Sequence, residues 1–115
     1  MKKVLVVDDS EVDRTHLERI ISEAGALVVT ASSGNEALTK AREHKPDLIM
    51  LDVNMPGLDG FSTARQFAAD PATRGIGIVF VTSKDQKADR VFAQMLGAKG
   101  FVTKPYTAAD IVSKL

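Results

Sequence analysis

The stretch Leu48-Ile49-Met50-Leu51-Asp52-Val53-Asn54-Met55-Pro56-Gly57-Leu58-Asp59-Gly60 decides the fold. Four apolar residues in a row end abruptly in an acid. An unbroken apolar run fits a strand buried on both faces, as in a parallel sheet. A carboxylate in the middle of such a strand would be stripped of water. At the strand's C-terminal end it reaches the crevice where open α/β sheets bind ligands. Pro56-Gly57 and Asp59-Gly60 then turn the chain away. Asp52 reads as an acid displayed on a rigid strand tip. On this stretch alone, a turn-forming Asp at a strand end is an equal alternative.

Working outward, the same pattern recurs. Val4 to Val7 is a β-branched apolar run that also ends in acid, Asp8-Asp9. Ser10-x-x-Asp13 resembles a capping box. Leu17, Ile20, Ile21 and Ala24 follow at helical spacing, with Gly25 as the C′ residue. Leu27 to Ala31 is a second strand. Ser33-x-x-Glu36 opens a helix with Ala37, Leu38 and Ala41 inward, and Pro46 marks its end. After Gly60 a helix carries Phe61, Ala64, Phe67 and Ala68 and stops near Asp70-Pro71. Ile78 to Val81 is a fourth strand, ending in Thr82-Ser83. The next helix puts Ala88, Val91, Phe92 and Met95 on one face and closes at Gly97. Gly100 to Thr103 is a short fifth strand, ending in Lys104-Pro105. Thr107-x-x-Asp110 starts a last, short helix of about nine residues, against a mean of ~11–12. Strand and helix alternate throughout, which argues for βαβ crossovers and helices on both faces of one parallel sheet.

The totals narrow the function classes. The 115 residues fit a single domain, residues 1–115, and 44% apolar against 26% charged residues describe a globular chain. There is no Cys, so no disulfide, thiol nucleophile or Cys-ligated zinc is available. No apolar run approaches the ~20 residues of a membrane span, and the run Val4 to Val7 is shorter than the ~7–15 residues of a signal h-region. A cytoplasmic protein without membrane attachment is expected. Fifteen bases balance fifteen acids, so no basic surface argues for nucleic acid. Gly75-x-Gly77 precedes a strand and is no nucleotide fingerprint. His16 and His44 lack metal spacing and read as surface residues.

In a parallel sheet all C-terminal strand ends share one edge. That edge collects Asp8, Asp9, Asp52, Thr82 and Lys104. Adjacent carboxylates repel unless positive charge sits among them. Lys104 supplies one charge, and a divalent cation supplies the rest. All-oxygen ligation points to Mg²⁺, with Mn²⁺ as an alternative. An Asp beside such a metal can serve as a phosphoryl acceptor, as in the aspartyl-phosphate enzymes. The metal, Lys104 and the Thr82 hydroxyl then face the three equatorial oxygens.

These residues carry a resemblance. Val6-Val7-Asp8-Asp9-Ser10, Asp52 through Gly60, Val81-Thr82-Ser83 and Gly97 through Pro105 resemble receiver domains of bacterial response regulators. The likeness is strongest to stand-alone CheY-like receivers, including those of pilus-driven twitching motility, and covers nearly the whole chain. It implies a flavodoxin-like, doubly wound sheet of strand order 2-1-3-4-5 with five helices, the last cut short by roughly two turns. It implies Asp52 as phosphoacceptor, Asp9 as direct metal ligand, Asp8 acting mainly through water, and the Asn54 carbonyl as a further ligand. Thr82 becomes the switch hydroxyl, Lys104 the phosphoryl partner and Phe101 the aromatic switch. Asn54 and Lys84 flank the phosphoryl group in such domains, though Lys84 also reads as a solvated loop charge. Tyr106 stands where Phe is common. A cis Lys104-Pro105 bond is expected.

The resemblance implies a monomeric, single-domain switch in two-component, chemotaxis-like signalling, not an enzyme beyond its own phosphorylation and dephosphorylation. It would take a phosphoryl group from a sensor histidine kinase. It would address a downstream target through the face of the fourth helix, fifth strand and fifth helix, near Lys87, Arg90, Lys99 and Tyr106. Acting only as a phosphate sink is a variant of this reading. A different class, an Asp-nucleophile phosphatase or phosphotransferase, needs an acid two residues after the nucleophile, where Asn54 stands. A binding-only receiver is at odds with the intact acidic set.

Overall fold

A computed structural model describes residues 2–115. Along the chain lie β1 (Lys3–Val7), α1 (Glu11–Glu23), β2 (Leu27–Ala31), α2 (Gly34–His44) and β3 (Leu48–Leu51). After them come α3 (Gly60–Ala69), β4 (Gly77–Thr82), α4 (Lys87–Met95), β5 (Gly100–Thr103) and α5 (Ala108–Val112). The strands make one parallel sheet in the order β2-β1-β3-β4-β5, as expected. The winding direction reverses between β1 and β3, which opens a crevice at their C-terminal ends.

Strand periodicity sorts the core into two layers. Leu5 and Val7 of β1, Ile49 and Leu51 of β3 and Phe80 of β4 pack with Ala37, Leu38 and Ala41 of α2, Ala64 and Phe67 of α3, and Ala93 of α4. Val4, Val6, Leu48, Met50, Val79, Val81 and Val102 pack on the other side with Leu17 and Ile21 of α1 and Ile111 of α5. Burying each aliphatic side chain of this size contributes about 1.5–3 kcal/mol. β1 and β3, apolar on both faces, are therefore the most firmly held strands, and their tips are the least mobile platform the fold can offer.

Ser10, Ser33, Asp59 and Thr107 cap their helices, each accepting from the backbone N–H three residues on. The Thr107/Asp110 box is reciprocal. The box expected at Ser10/Asp13 is only half made: Ser10 Oγ accepts from the Asp13 N–H, but the Asp13 carboxylate turns to Lys104 instead. An ammonium is a stronger partner than a helix-end amide, so the acid goes to it. α1 is followed by Gly25 (φ +94°) and α4 by Gly97 (φ +81°), left-handed conformations that favour glycine.

Two expectations are corrected. On α4, Ala88, Val91 and Met95 are exposed, while Asp89 and Ala93 are buried and the Phe92 ring lies against Phe61 at 4.8 Å. Asp89 tolerates burial because its carboxylate accepts the Gln86 N–H and pairs with Lys84. A satisfied acid thus occupies an inward position that an apolar pattern cannot reveal. α5 is shorter than nine residues, with turn bonds from Lys114 and Leu115 following Val112. No helix among the described residues is long and apolar enough to cross a membrane.

Candidate functional site

The sheet's hydrogen-bond ladder runs past its strands into the site. The Asp8 N–H donates to the Ala31 carbonyl, Asp52 N–H to Val7 and Lys104 N–H to Thr82, at 2.9–3.1 Å. These backbones are therefore pinned by the sheet, which fixes the directions their side chains take. The Lys104-Pro105 bond is cis, as expected.

Carboxylate oxygens of Asp8, Asp9 and Asp52 come within 4.8 Å of one another. Asp8 and Asp52 are buried, and Asp9 is exposed. The Lys104 ammonium reaches into them from β5. It donates to Asp8 Oδ2 at 2.8 Å, Asp13 Oδ2 at 3.0 Å and Asp52 Oδ2 at 3.2 Å. Asp8 Oδ1 accepts the Ser10 N–H, and Asp52 Oδ1 accepts the Asn54 N–H at 3.2 Å. Thr82 is fully buried at the end of β4, and its hydroxyl accepts the Lys84 N–H.

The electrostatics follow from burial and pairing. Burial pushes the Asp8 carboxyl above its ordinary value. Hydrogen bonds from Lys104 and the Ser10 N–H pull it back, and the Asp52 charge adds to the push. Burial alone would lower the Lys104 pKa. Its hydrogen bonds to Asp8 and Asp13, with the charges of Asp52 and Asp8, outweigh that and hold it above the usual lysine range. One ammonium is surrounded by more negative charge than it neutralises. All donors are oxygens, and Asp9 leaves one side open to solvent, which suits a small, hard divalent cation that keeps part of its water shell. Asp8, Asp9 and Asp52 would hold it, and the chemistry of the donor set fits Mg²⁺.

Of the residues expected from the sequence, Asp8, Asp9, Asp52 and Lys104 come together, with Thr82 at the tip of the strand beside β3. Asn54 presents its backbone to Asp52 while its side chain is exposed. Phe101 lies outside the acidic cluster. It is half-buried, with its ring centroid 6.4 Å from that of Phe80 and the Arg90 guanidinium 4.9 Å above it. Arg90 also bonds Thr103 Oγ1 and Asp85. Lys84 pairs with Asp89 at 3.6 Å, a local loop contact. Tyr106 does not join the α4 side. It turns toward α1, where its ring stacks on His16 at 5.5 Å. His16 is a surface residue, as expected, but it shares a cavity of about 410 Å³ with Asp13, Ser83, Lys104, Pro105 and Tyr106. Asp13 is the member that sequence reasoning missed. Its signal was present in the spacing, since an acid in the first turn after Asp8-Asp9 lies on the same sheet edge, but the capping pattern offered a sufficient explanation.

Comparison with known proteins gives a consistent answer. A family model described as response regulator receiver domain matches residues 4–115. Protein PilH of Pseudomonas aeruginosa is 38% identical over 105 residues, spanning 91% of this chain and 87% of the relative. The alkaline phosphatase synthesis transcriptional regulatory protein PhoP of Bacillus subtilis is 40% identical over 114 residues, and this chain spans 47% of that longer protein. The solved structure of the Vibrio cholerae chemotaxis protein CheY4 superposes with a TM-score of 0.92 at 32% identity, covering 98% of this chain and 94% of the other.

Proposed function

This chain belongs to the response regulator receiver domain family, and from that membership we propose that it is a switch set by phosphorylation of Asp52. The observation that carries the reading is the convergence of three carboxylates within 4.8 Å, two of them bonded to one partly buried ammonium, at the tips of a parallel sheet. An Asp52 carboxylate oxygen forms a bond to phosphorus as the P–N bond of a kinase phosphohistidine breaks. The departing imidazole nitrogen keeps the electron pair. Lys104 stabilises charge on the transferring oxygens, and its fixed position means that little reorganisation is needed. Mg²⁺, when bound by Asp8, Asp9 and Asp52 with the Asn54 carbonyl, supplies further positive charge there.

The response is proposed to run from Thr82 to Phe101. A phosphoryl group draws the Thr82 hydroxyl by a charge-assisted hydrogen bond. Phe101, half-buried beside Phe80, then turns inward and alters the face of α4, β5 and α5. Exposed Val91 (46%) and Met95 (78%) give that face an apolar stripe, and Lys87, Arg90 and Lys99 make it basic. A monomer acting in the cytoplasm on a protein target, in chemotaxis-like signalling, fits this surface and the likeness to PilH and CheY4.

The test is labelling with acetyl phosphate and Mg²⁺, followed by borohydride trapping and mass spectrometry. One phosphoryl group per chain on Asp52 is expected, and none in Asp52→Asn. Full labelling of that variant would remove the assignment. Repeated turnover of p-nitrophenyl phosphate would favour the phosphatase class instead.

Metal affinity should depend on Asp9 more than Asp8. Both Asp8 oxygens are already engaged, by Ser10 and Lys104, whereas Asp9 makes no side-chain hydrogen bond among the described residues. In Mg²⁺ titrations followed by NMR, Asp9→Asn is expected to lose about 10-fold or more, on the scale of a lost electrostatic partner, and Asp8→Asn less. An equal or greater loss for Asp8→Asn contradicts the ordering.

A further inference from the structure

We propose that Asp13 is a positioning residue that competes with the phosphoryl group for Lys104, and so sets how readily the phosphorylated state forms. The inference rests on the phosphoacceptor reading above and extends it to a residue outside the acidic triad.

An ammonium has three protons and no acceptor. In this structure all three are committed, to carboxylates from β1, α1 and β3 at 2.8, 3.0 and 3.2 Å. A phosphoryl group on Asp52 presents new, more highly charged acceptors to the same ammonium. For the ammonium to give those oxygens more than the one contact it already makes to Asp52, another bond must yield. Burial decides which one. The Asp8 and Asp52 side chains are 4% and 8% exposed, and Asp13 is 46% exposed. Phosphorylation turns Asp52 into an acyl phosphate, so its own bond to Lys104 passes to the phosphoryl oxygens. Of the two contacts that remain, freeing Asp8 leaves a carboxylate buried without its partner, which is costly. Freeing Asp13 returns a carboxylate to water at little cost. Asp13 is thus the contact that gives way.

The contact also opposes the change that releases it. Asp13 adds a negative charge beside a site that already holds Asp8, Asp9 and Asp52 and is about to receive a phosphoryl group of about −1.5 to −2. Nothing in the helix cap requires that charge. Ser10 Oγ caps α1 through the Asp13 N–H, and the Asp13 side chain takes no part. Its other boundary is the cavity lined by His16, Ser83 and Tyr106, which is open to solvent and gives the released carboxylate room to withdraw.

The experiment is titration with beryllofluoride in Mg²⁺, followed by NMR, on the whole chain and three variants. Asp13→Asn is expected to bind threefold to tenfold more tightly, roughly the scale of a half-exposed charge contact. Asp13→Glu, which keeps the charge and can still reach Lys104, should stay within about twofold of the parent, as expected for a retained surface charge. Glu11→Gln removes another first-turn acid of α1 that does not touch Lys104, and should also change little. Urea midpoints of each variant separate affinity from stability, because a purely structural role for Asp13 would weaken binding and stability together. Unchanged or weaker binding by Asp13→Asn overturns the proposal, as does an equal gain in Glu11→Gln. A parent protein that neither binds beryllofluoride nor labels at Asp52 overturns the phosphoacceptor reading itself, and this inference with it.

Discussion

Replacing Lys104 by methionine is expected to slow labelling of Asp52 by acetyl phosphate about 10²-fold and to cost about 2–3 kcal/mol of stability at neutral pH without metal. Both effects have one origin. The ammonium is the positive partner that the structure gives the buried Asp8 and Asp52, and methionine fills a similar volume without the charge. The stability loss carries a pH signature. Burial already holds the Asp8 pKa above its ordinary 3.8, and removing Lys104 raises it further. A carboxyl raised in the folded state contributes stability that is fully present below the unfolded pKa and lost as pH rises through the folded value. The deficit should therefore be small near pH 4 and grow toward pH 7. Urea unfolding in EDTA across that range measures it, and equal midpoints for the two proteins at neutral pH contradict it. Saturating Mg²⁺ should recover more stability in the variant than in the parent, because the metal then meets the carboxylates without a competing cation.

Gly60→Ala should cost about 2–4 kcal/mol, at or above the upper end of overpacking penalties. A Cβ on Gly60 would lie 2.1 Å from the Asp52 carbonyl oxygen, 2.7 Å from Val53 Cα and 2.8 Å from the Asp52 carbonyl carbon. All three are backbone atoms, and the Gly60 N–H is tied to the Val53 carbonyl at 3.0 Å. Nothing there can rotate aside. Relief requires moving α3 away from the end of β3, which also disturbs Asp52, so Mg²⁺ affinity should fall together with stability. Gly75→Ala is the control, since a Cβ there meets nothing within 4 Å. Thermal and urea unfolding of the pair check the prediction, and similar midpoints would show that the contact is softer than drawn.

The Gly60 contact also marks where sequence reading stopped. Asp59-Gly60 was legible as a turn, but its parts do different work. Asp59 caps α3 through the Ser62 N–H, and Gly60 is already helical, pressed on the backbone after Asp52. Composition can say that a glycine is there, but the reason lies in a close approach that only the folded chain creates. Strand identities were legible because β1 and β3 are apolar on both faces and end in acid, a pattern no amphipathic helix produces. The α4 face was not. Val91 and Met95 follow helical spacing as well as Asp89, Phe92 and Ala93 do, and the acid Asp89 hides the inward row from an apolar pattern. The site was legible wherever a polar residue directly follows an apolar strand, as at Asp8, Asp52, Thr82 and Lys104. Asp13 sits one helical turn away from such a boundary. Its carboxylate had two possible partners, and only the reach of Lys104 from β5 selects between them.

Asp8 and Lys104 are 96 positions apart, and β3 and β4 lie between their strands in the sheet. The bond joining them can close in this geometry only with β3 and β4 paired between β1 and β5. Lys104 follows Asp52 in the chain and is therefore synthesised after it. Until that bond closes, Asp52 lacks the ammonium that stabilises the transferring oxygens in the proposed chemistry. Under the proposed chemistry, a nascent, nicked or partly unfolded chain is a slower phosphoryl acceptor than the folded one. Labelling would then favour finished molecules over unfinished ones.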